Sequence, residues 1–109
     1  MRTLKFIVDG QIIAQDPECD FSGLVPGTDS YLRAEFKFSP QWHGYAKVAS
    51  FWSALGREYP PKVLEDGKSC IITAEALEKR IFKIKVIGRN GRSMLQTNKI
   101  AVMQNGGKV

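Results

Sequence analysis

Hydrophobic and polar residues alternate with a period of two along most of this chain. In Tyr31–Phe38, Leu32, Ala34, Phe36 and Phe38 fall on one side, and Arg33, Glu35 and Lys37 on the other. Successive side chains of an extended strand point to opposite faces, so this segment reads as a strand with one face buried and one wet. Arg80–Ile87 repeats the pattern, with Phe82, Ile84 and Val86 against Lys83 and Lys85. Gly88 is expected to end that strand, and Asn90-Gly91 to turn the chain. It then runs through Met94 and Leu95 into a last strand, Lys99–Gln104, with Ile100 and Val102 on one side. Leu4–Val8 and Gln11–Ala14 flank Asp9-Gly10, a pair that suits a tight hairpin turn.

The middle of the chain is more punctuated. Cys19 to Ser30 is rich in Gly, Pro, Ser and Asp and reads as a long loop, with Phe21 and Leu24 tucked down. Residues 39–44 form a turn before a strand at Tyr45–Trp52, and Ala54-Leu55-Gly56 is a second turn. Tyr59 to Leu64 is a further candidate strand. Pro60 and Pro61 lack backbone donors, so it is expected at an edge or only from Lys62. Asp66-Gly67 signals a hairpin before Lys68–Ile72. The one helical candidate is Thr73–Lys79, about two turns at most, with Thr73 as a possible cap. About seven or eight short antiparallel strands, with turn signals every 8–12 residues, predict an all-β sandwich in a single domain over residues 1–109. A small barrel is the alternative. The expected core is Phe36, Phe38, Val48, Phe82, Ile84, Val86, Ile100 and Val102, and Asn105–Val109 reads as a frayed tail.

Composition and charge narrow the function more than the fold. With 109 residues, 43% of them hydrophobic, the chain can fold on one core without staples. No apolar run approaches the roughly 20 residues of a membrane helix. The first residues lack a signal-peptide pattern, so retention in the cytoplasm is expected. Cys19 and Cys70 are then expected as free thiols, Cys70 in a buried strand. Residues 1–56 carry 5 Lys+Arg against 6 Asp+Glu, and residues 57–109 carry 11 against 5. The basic residues do not form one block. Scattered solubilising lysines are therefore favoured over a nucleic-acid footprint.

Catalytic chemistry finds few residues to use. His43 is the lone histidine, in a turn beside Trp42, and no thiol-activating motif surrounds either cysteine. Three Cys and His residues are too few for a structural zinc site. Asp16, Glu18 and Asp20 alternate in a loop but lack the glycine and distal glutamate of a calcium loop. No phosphate-binding glycine motif and no cofactor site is seen, and no enzyme activity is expected. Aromatics cluster at Trp42, Tyr45, Phe51, Trp52 and Tyr59. Phe51 and Trp52 are neighbours on one strand and must face opposite ways. Trp52 or Tyr59 is the candidate contact aromatic. Ala101 and Met103, on the outward side of the last strand, are candidates for an interaction surface.

Several phrases resemble a known family. They are Phe36-Lys37-Phe38-Ser39-Pro40-Gln41-Trp42, Lys47-Val48-Ala49-Ser50-Phe51, and Tyr59 through Val63. Asp66-Gly67-Lys68-Ser69-Cys70-Ile71-Ile72 and Ala74-Glu75-Ala76-Leu77 follow. The last are Phe82 through Gly88 and Leu95-Gln96-Thr97-Asn98-Lys99. Together, over residues 31–104, they resemble the immunoglobulin-like domain of minor structural proteins of phages and prophages of Gram-positive bacteria. The N-terminal domain of baseplate upper proteins is the particular likeness. Thr73 stands where the family usually has proline, and His43 where an acidic residue is common. The resemblance implies a virion component of a tail or baseplate, assembled in the host cytoplasm. Its partners would be other phage structural proteins and further copies of itself in a homo-oligomer. It also implies Trp42 in the core, and Thr97-Asn98 shaping the approach to the last strand by side-chain to backbone hydrogen bonds. The competing functions are a carbohydrate-binding module for cell-wall attachment and a single-stranded nucleic-acid binder on a small barrel.

Overall fold

Alternation of large apolar and polar residues produces strands throughout the molecule. The computed structural model describes residues 1–26 and 32–105. Its strands are β1 (Arg2–Asp9), β2 (Ile12–Gln15), β3 (Leu32–Phe38), β4 (Ala46–Ser53), β5 (Lys62–Val63), β6 (Ser69–Ile71), β7 (Ile81–Asn90), β8 (Ser93–Gln96) and β9 (Ile100–Met103). They form two sheets. The first has the order β2-β1-β3-β6, and the second β5-β4-β7-β8, with β9 also paired to β7. Phe6, Leu32 and Phe36 of the first sheet share one buried cluster with Phe51, Phe82 and Ile84 of the second. The result is an all-β sandwich. Tyr31, residues 27–30 of the long loop and residues 106–109 of the tail lie outside the described residues.

Several expectations need correction. Nine strands form among the described residues, because Gly88 lies inside β7, opposite Lys47 on β4 and Leu95 on β8. β7 therefore runs on to Asn90, and the Asn90-Gly91 turn, with Gly91 at φ +59°, folds Ser93–Gln96 back as β8. Gly88 acts as a spacer. A Cβ there would stand 2.8 Å from Trp42 Cζ3 and 3.2 Å from Tyr45 Cβ, closer than packed carbons tolerate. The strands are not all antiparallel either. β1 and β3 pair in parallel, Lys5 beside Glu35 and Phe6 beside Phe36. The long connection through β2 and the loop gives the chain length to return in the same direction.

Thr73–Lys79 makes no α-helix. Ala74–Glu78 is a short 3₁₀ turn that buries Ala76 and Leu77, and the Thr73 hydroxyl donates to Pro60 O at 2.6 Å instead of capping. So short a segment cannot offset the cost of helix nucleation. Asp66-Gly67 makes no hairpin, since β5 belongs to the second sheet and β6 to the first. The Asp66 carboxylate orders this crossover by accepting from the Lys68 and Ser69 backbone N–H groups and the Ser69 hydroxyl. β5 starts at Lys62, past both prolines, and is an edge strand as expected.

The core agrees with most of the expected residues, and Val48 is the exception. The inward positions of β4 are Ala49 and Phe51, so Val48 lies on the outer face beside Val63 and Ile87. Phe38 and Ile100 are half-buried at the margin of the core. Trp42 is fully buried, packs on Phe38 at a centroid distance of 5.3 Å, and donates Nε1–H to Gly10 O at 2.7 Å. Phe21 meets Phe6 edge-on at 5.4 Å, and Leu24 is buried.

Polar side chains stitch the two sheets along one side. Ile13 N–H donates to Asn98 Oδ1 at 2.9 Å, Asn98 N–H to Gln11 O at 3.1 Å, and Gln11 Nε2 to Gln96 O at 3.2 Å. Gln15 Nε2 reaches Ala101 O at 3.5 Å. Thr97 Oγ1 accepts from Val86 N–H at 3.0 Å and donates to Asn98 O at 2.7 Å. These bonds satisfy the backbone where the chain leaves β8 and enters β9.

Candidate functional site

The outer face of the second sheet gathers three of the four candidate contact residues. Trp52 on β4 stands in register with Lys83 on β7, and Lys83 with Ala101 on β9. Met103 stands beside Ile81 and is 60% exposed. The alternation that turns Phe51 into the core turns Trp52 outward. Trp52 is half-buried, because two lysines lie over it: Lys99 Nζ at 3.6 Å from the ring centroid and Lys85 Nζ at 5.4 Å. Ammonium groups are drawn to the negative face of an indole at these distances. Lys85 Nζ also donates to Gln96 Oε1 at 3.0 Å. Trp52 Nε1 is shielded from solvent and has no hydrogen-bond partner among the described residues.

Lysines dominate the charge on this face. The five strands of the second sheet contain no Asp or Glu. The acid beside it is Glu58, bridged to Trp52 through the backbone, and its Oε2 accepts from the buried Ser50 hydroxyl at 2.9 Å. Lys83, Lys85 and Lys99 are the functional candidates that sequence reading passed over as scattered lysines. The available signal was their place on the polar side of β7 and just before β9, opposite an outward tryptophan.

Tyr59, the fourth candidate, is not on this surface. It is 8% exposed and belongs to the core cluster. The turn after β4 brings the chain straight back: Ser53 N–H donates to Arg57 O, and Tyr59 N–H to Phe51 O at 2.8 Å. That reversal carries the Tyr59 ring inward, beside a small cavity of about 260 Å³ that Leu55, Lys79 and Ile81 also line.

The remaining chemistry-bearing residues are dispersed. His43 is exposed at the end of the 3₁₀ turn Pro40–Trp42. Cys19 and Cys70 are both free. Cys19 Sγ accepts from Lys5 N–H at 3.3 Å, and burial pushes the Cys70 thiol up to about 12, which leaves it protonated and unreactive near neutral pH. Asp16 accepts from Glu18 N–H, and Asp20 from the backbone and hydroxyl of Ser22, so these carboxylates organise their own loop. The Ser22 bonds hold the Asp20 carboxyl below its ordinary range. Among the described residues no group of three or more His, Cys, Asp or Glu side chains is placed to hold a metal ion. A cleft of about 500 Å³ separates β5 from β6, lined by Arg33, Lys62, Val63, Asp66 and Cys70 among others.

No protein-family model matches this chain, and no curated protein or solved structure matches it either.

Proposed function

We propose that this chain is an immunoglobulin-like structural or adaptor component of a phage or prophage tail or baseplate, working without catalysis through protein–protein contacts. The observation that carries this reading is the outer face of the second sheet. It sets the half-buried Trp52 in one patch with the exposed Ala101 and Met103, framed by lysines. The strand order supports the immunoglobulin-like subtype: β3 pairs β6 in one sheet, and β4 and β7 are central in the other, flanked by β5 and by β8 and β9. The sequence resemblance over residues 31–104 supplies the virion setting, with assembly in the host cytoplasm and further copies of the chain as neighbours. A carbohydrate platform is disfavoured, because a sugar stacks on a bare ring and Lys99 sits 3.6 Å from the Trp52 centroid.

Lysine-directed cross-linking of purified tail particles, read by mass spectrometry, tests the proposal. The expected result is a link from Lys83, Lys85 or Lys99 to another virion protein. Absence of the chain from intact particles, or links from this face only to non-virion proteins, overturns it.

A further inference from the structure

Resting on that reading, we infer that the surface docked on the outer face of the second sheet is an acidic segment of a different protein, its carboxylates facing Lys83, Lys85 and Lys99. Lys85 and Lys99 share one indole, and Lys83 stands in the same row as Trp52. Gathering like charges is unfavourable unless something negative answers them, and the strands of this sheet supply no carboxylate. Glu58, hydrogen-bonded to Ser50 at the edge of β4, brings a single negative charge against the three ammonium groups. Each ammonium has three donors, and the face itself offers Lys85 one acceptor, on Gln96.

The charge pattern selects among occupants. A second copy laid on this face would set Lys83, Lys85, Arg89 and Lys99 against their own equivalents, in a chain of net charge +5. Like-charge juxtaposition of that kind rejects a partner. A single-stranded nucleic acid is gripped through aromatic faces on which its bases stack. The one aromatic here is capped by Lys99, and its neighbours Val48, Ile81, Ile87, Ala101 and Met103 are aliphatic or thioether side chains. Lys83 and Lys85 point outward two residues apart, about 7 Å along the strand. An extended partner with carboxylates at alternate positions has the same repeat, and its intervening apolar residues meet the aliphatic rows.

The probe is a ten-residue peptide of alternating Glu and Leu, titrated while the indole N–H resonance of Trp52 is followed by NMR, with Trp52→Phe assigning the signal. Saturable movement of that resonance is expected. The double variant Lys85→Glu and Lys99→Glu should weaken binding at least tenfold with its melting temperature kept. Lys5→Glu with Lys37→Glu, on the other sheet, should leave binding unchanged. If charge reversal unfolds the chain, Lys85→Gln with Lys99→Gln serves, with a smaller loss in the same direction. No movement of the resonance, equal loss from both double variants, or tighter binding of ten-residue oligothymidylate than of the peptide overturns the inference. Cross-links from this face to a virion protein that persist in Lys85→Gln and Lys99→Gln particles would sink the acidic partner and leave the structural role standing.

Discussion

The two outer faces of the sandwich are built by the same rule and decorated differently. On the first sheet Lys5 stands beside Glu35, with Arg33, Lys37 and Asp9 near them, so the signs are mixed. On the second sheet Lys83, Lys85 and Arg89 face outward with no acid in any strand. Both faces satisfy the demand of folding, which is only that the outward side of a strand be polar enough to stay wet. Mixed charge keeps a surface soluble and unattractive to neighbours. An excess of one sign around a tryptophan creates a field that draws an opposite charge. The fold requires neither choice, so the difference between the faces speaks of what they meet.

The strongest way to break this comparison is to ask whether both faces depend on one interior. Phe36 holds up the first sheet and Phe82 the second, and both lie in the same cluster. Truncating either to alanine is expected to cost about 3–5 kcal/mol by leaving a cavity. Urea denaturation of each variant checks this. A near-native midpoint for one of them would mean that the two sheets are stabilised separately.

A middle-sized effect belongs to the second sheet alone. Gly88→Ala would drive a methyl group against Trp42 and is expected to cost about 1–3 kcal/mol. Thermal melting should show the loss. A companion Trp42→Phe change, which empties space under that methyl, should make the pair less than additive. Full additivity would show that the close approach is relieved elsewhere.

The smallest effect concerns the first sheet and its crossover. Asp66 has a carboxyl lowered from 3.8 to about 2, chiefly by the Ser69 hydroxyl and then by backbone N–H groups. A group depressed in the folded state gives its stability in full above its unfolded value and loses it as pH falls towards its folded one. Stability should therefore decline between about pH 4 and pH 2, and Asp66→Asn should flatten that part of the profile. The carboxylate is exposed, so the amplitude is expected below about 1 kcal/mol. A steep loss that survives in Asp66→Asn would place the acid-sensitive group elsewhere.

Periodicity made much of this molecule legible in its sequence. It locates the strands and most of the core, and it separates Phe51 from Trp52. What it missed depends on neighbours distant in sequence. Val48 fits an alternating strand on either face, and only pairing with Val63 and Ile87 decides its side. Gly88 looks like a strand terminator until Trp42, far back in the chain, is seen to need the space. Tyr59 is an aromatic between Glu58 and Pro60, in a segment that reads as an exposed edge, yet its backbone bond to Phe51 turns it inward. The lysine cluster was hidden for the same reason. Lys99 meets Trp52 only after β9 has docked along β7.

The polar stitching of β2 to the segment 96–101 has a consequence for the order in which the molecule can form. The partners stand 85 to 87 positions apart. The β1–β2 hairpin is synthesised well before Asn98 and Ala101, and its outer edge must wait for them. Until then Ile13 N–H has no Asn98 to donate to, and the hairpin presents a raw strand edge. Closing so long a loop is slow compared with making a hairpin. Closure of the sandwich along this side is therefore expected to follow synthesis of β9, with an open sandwich as the species exposed before it.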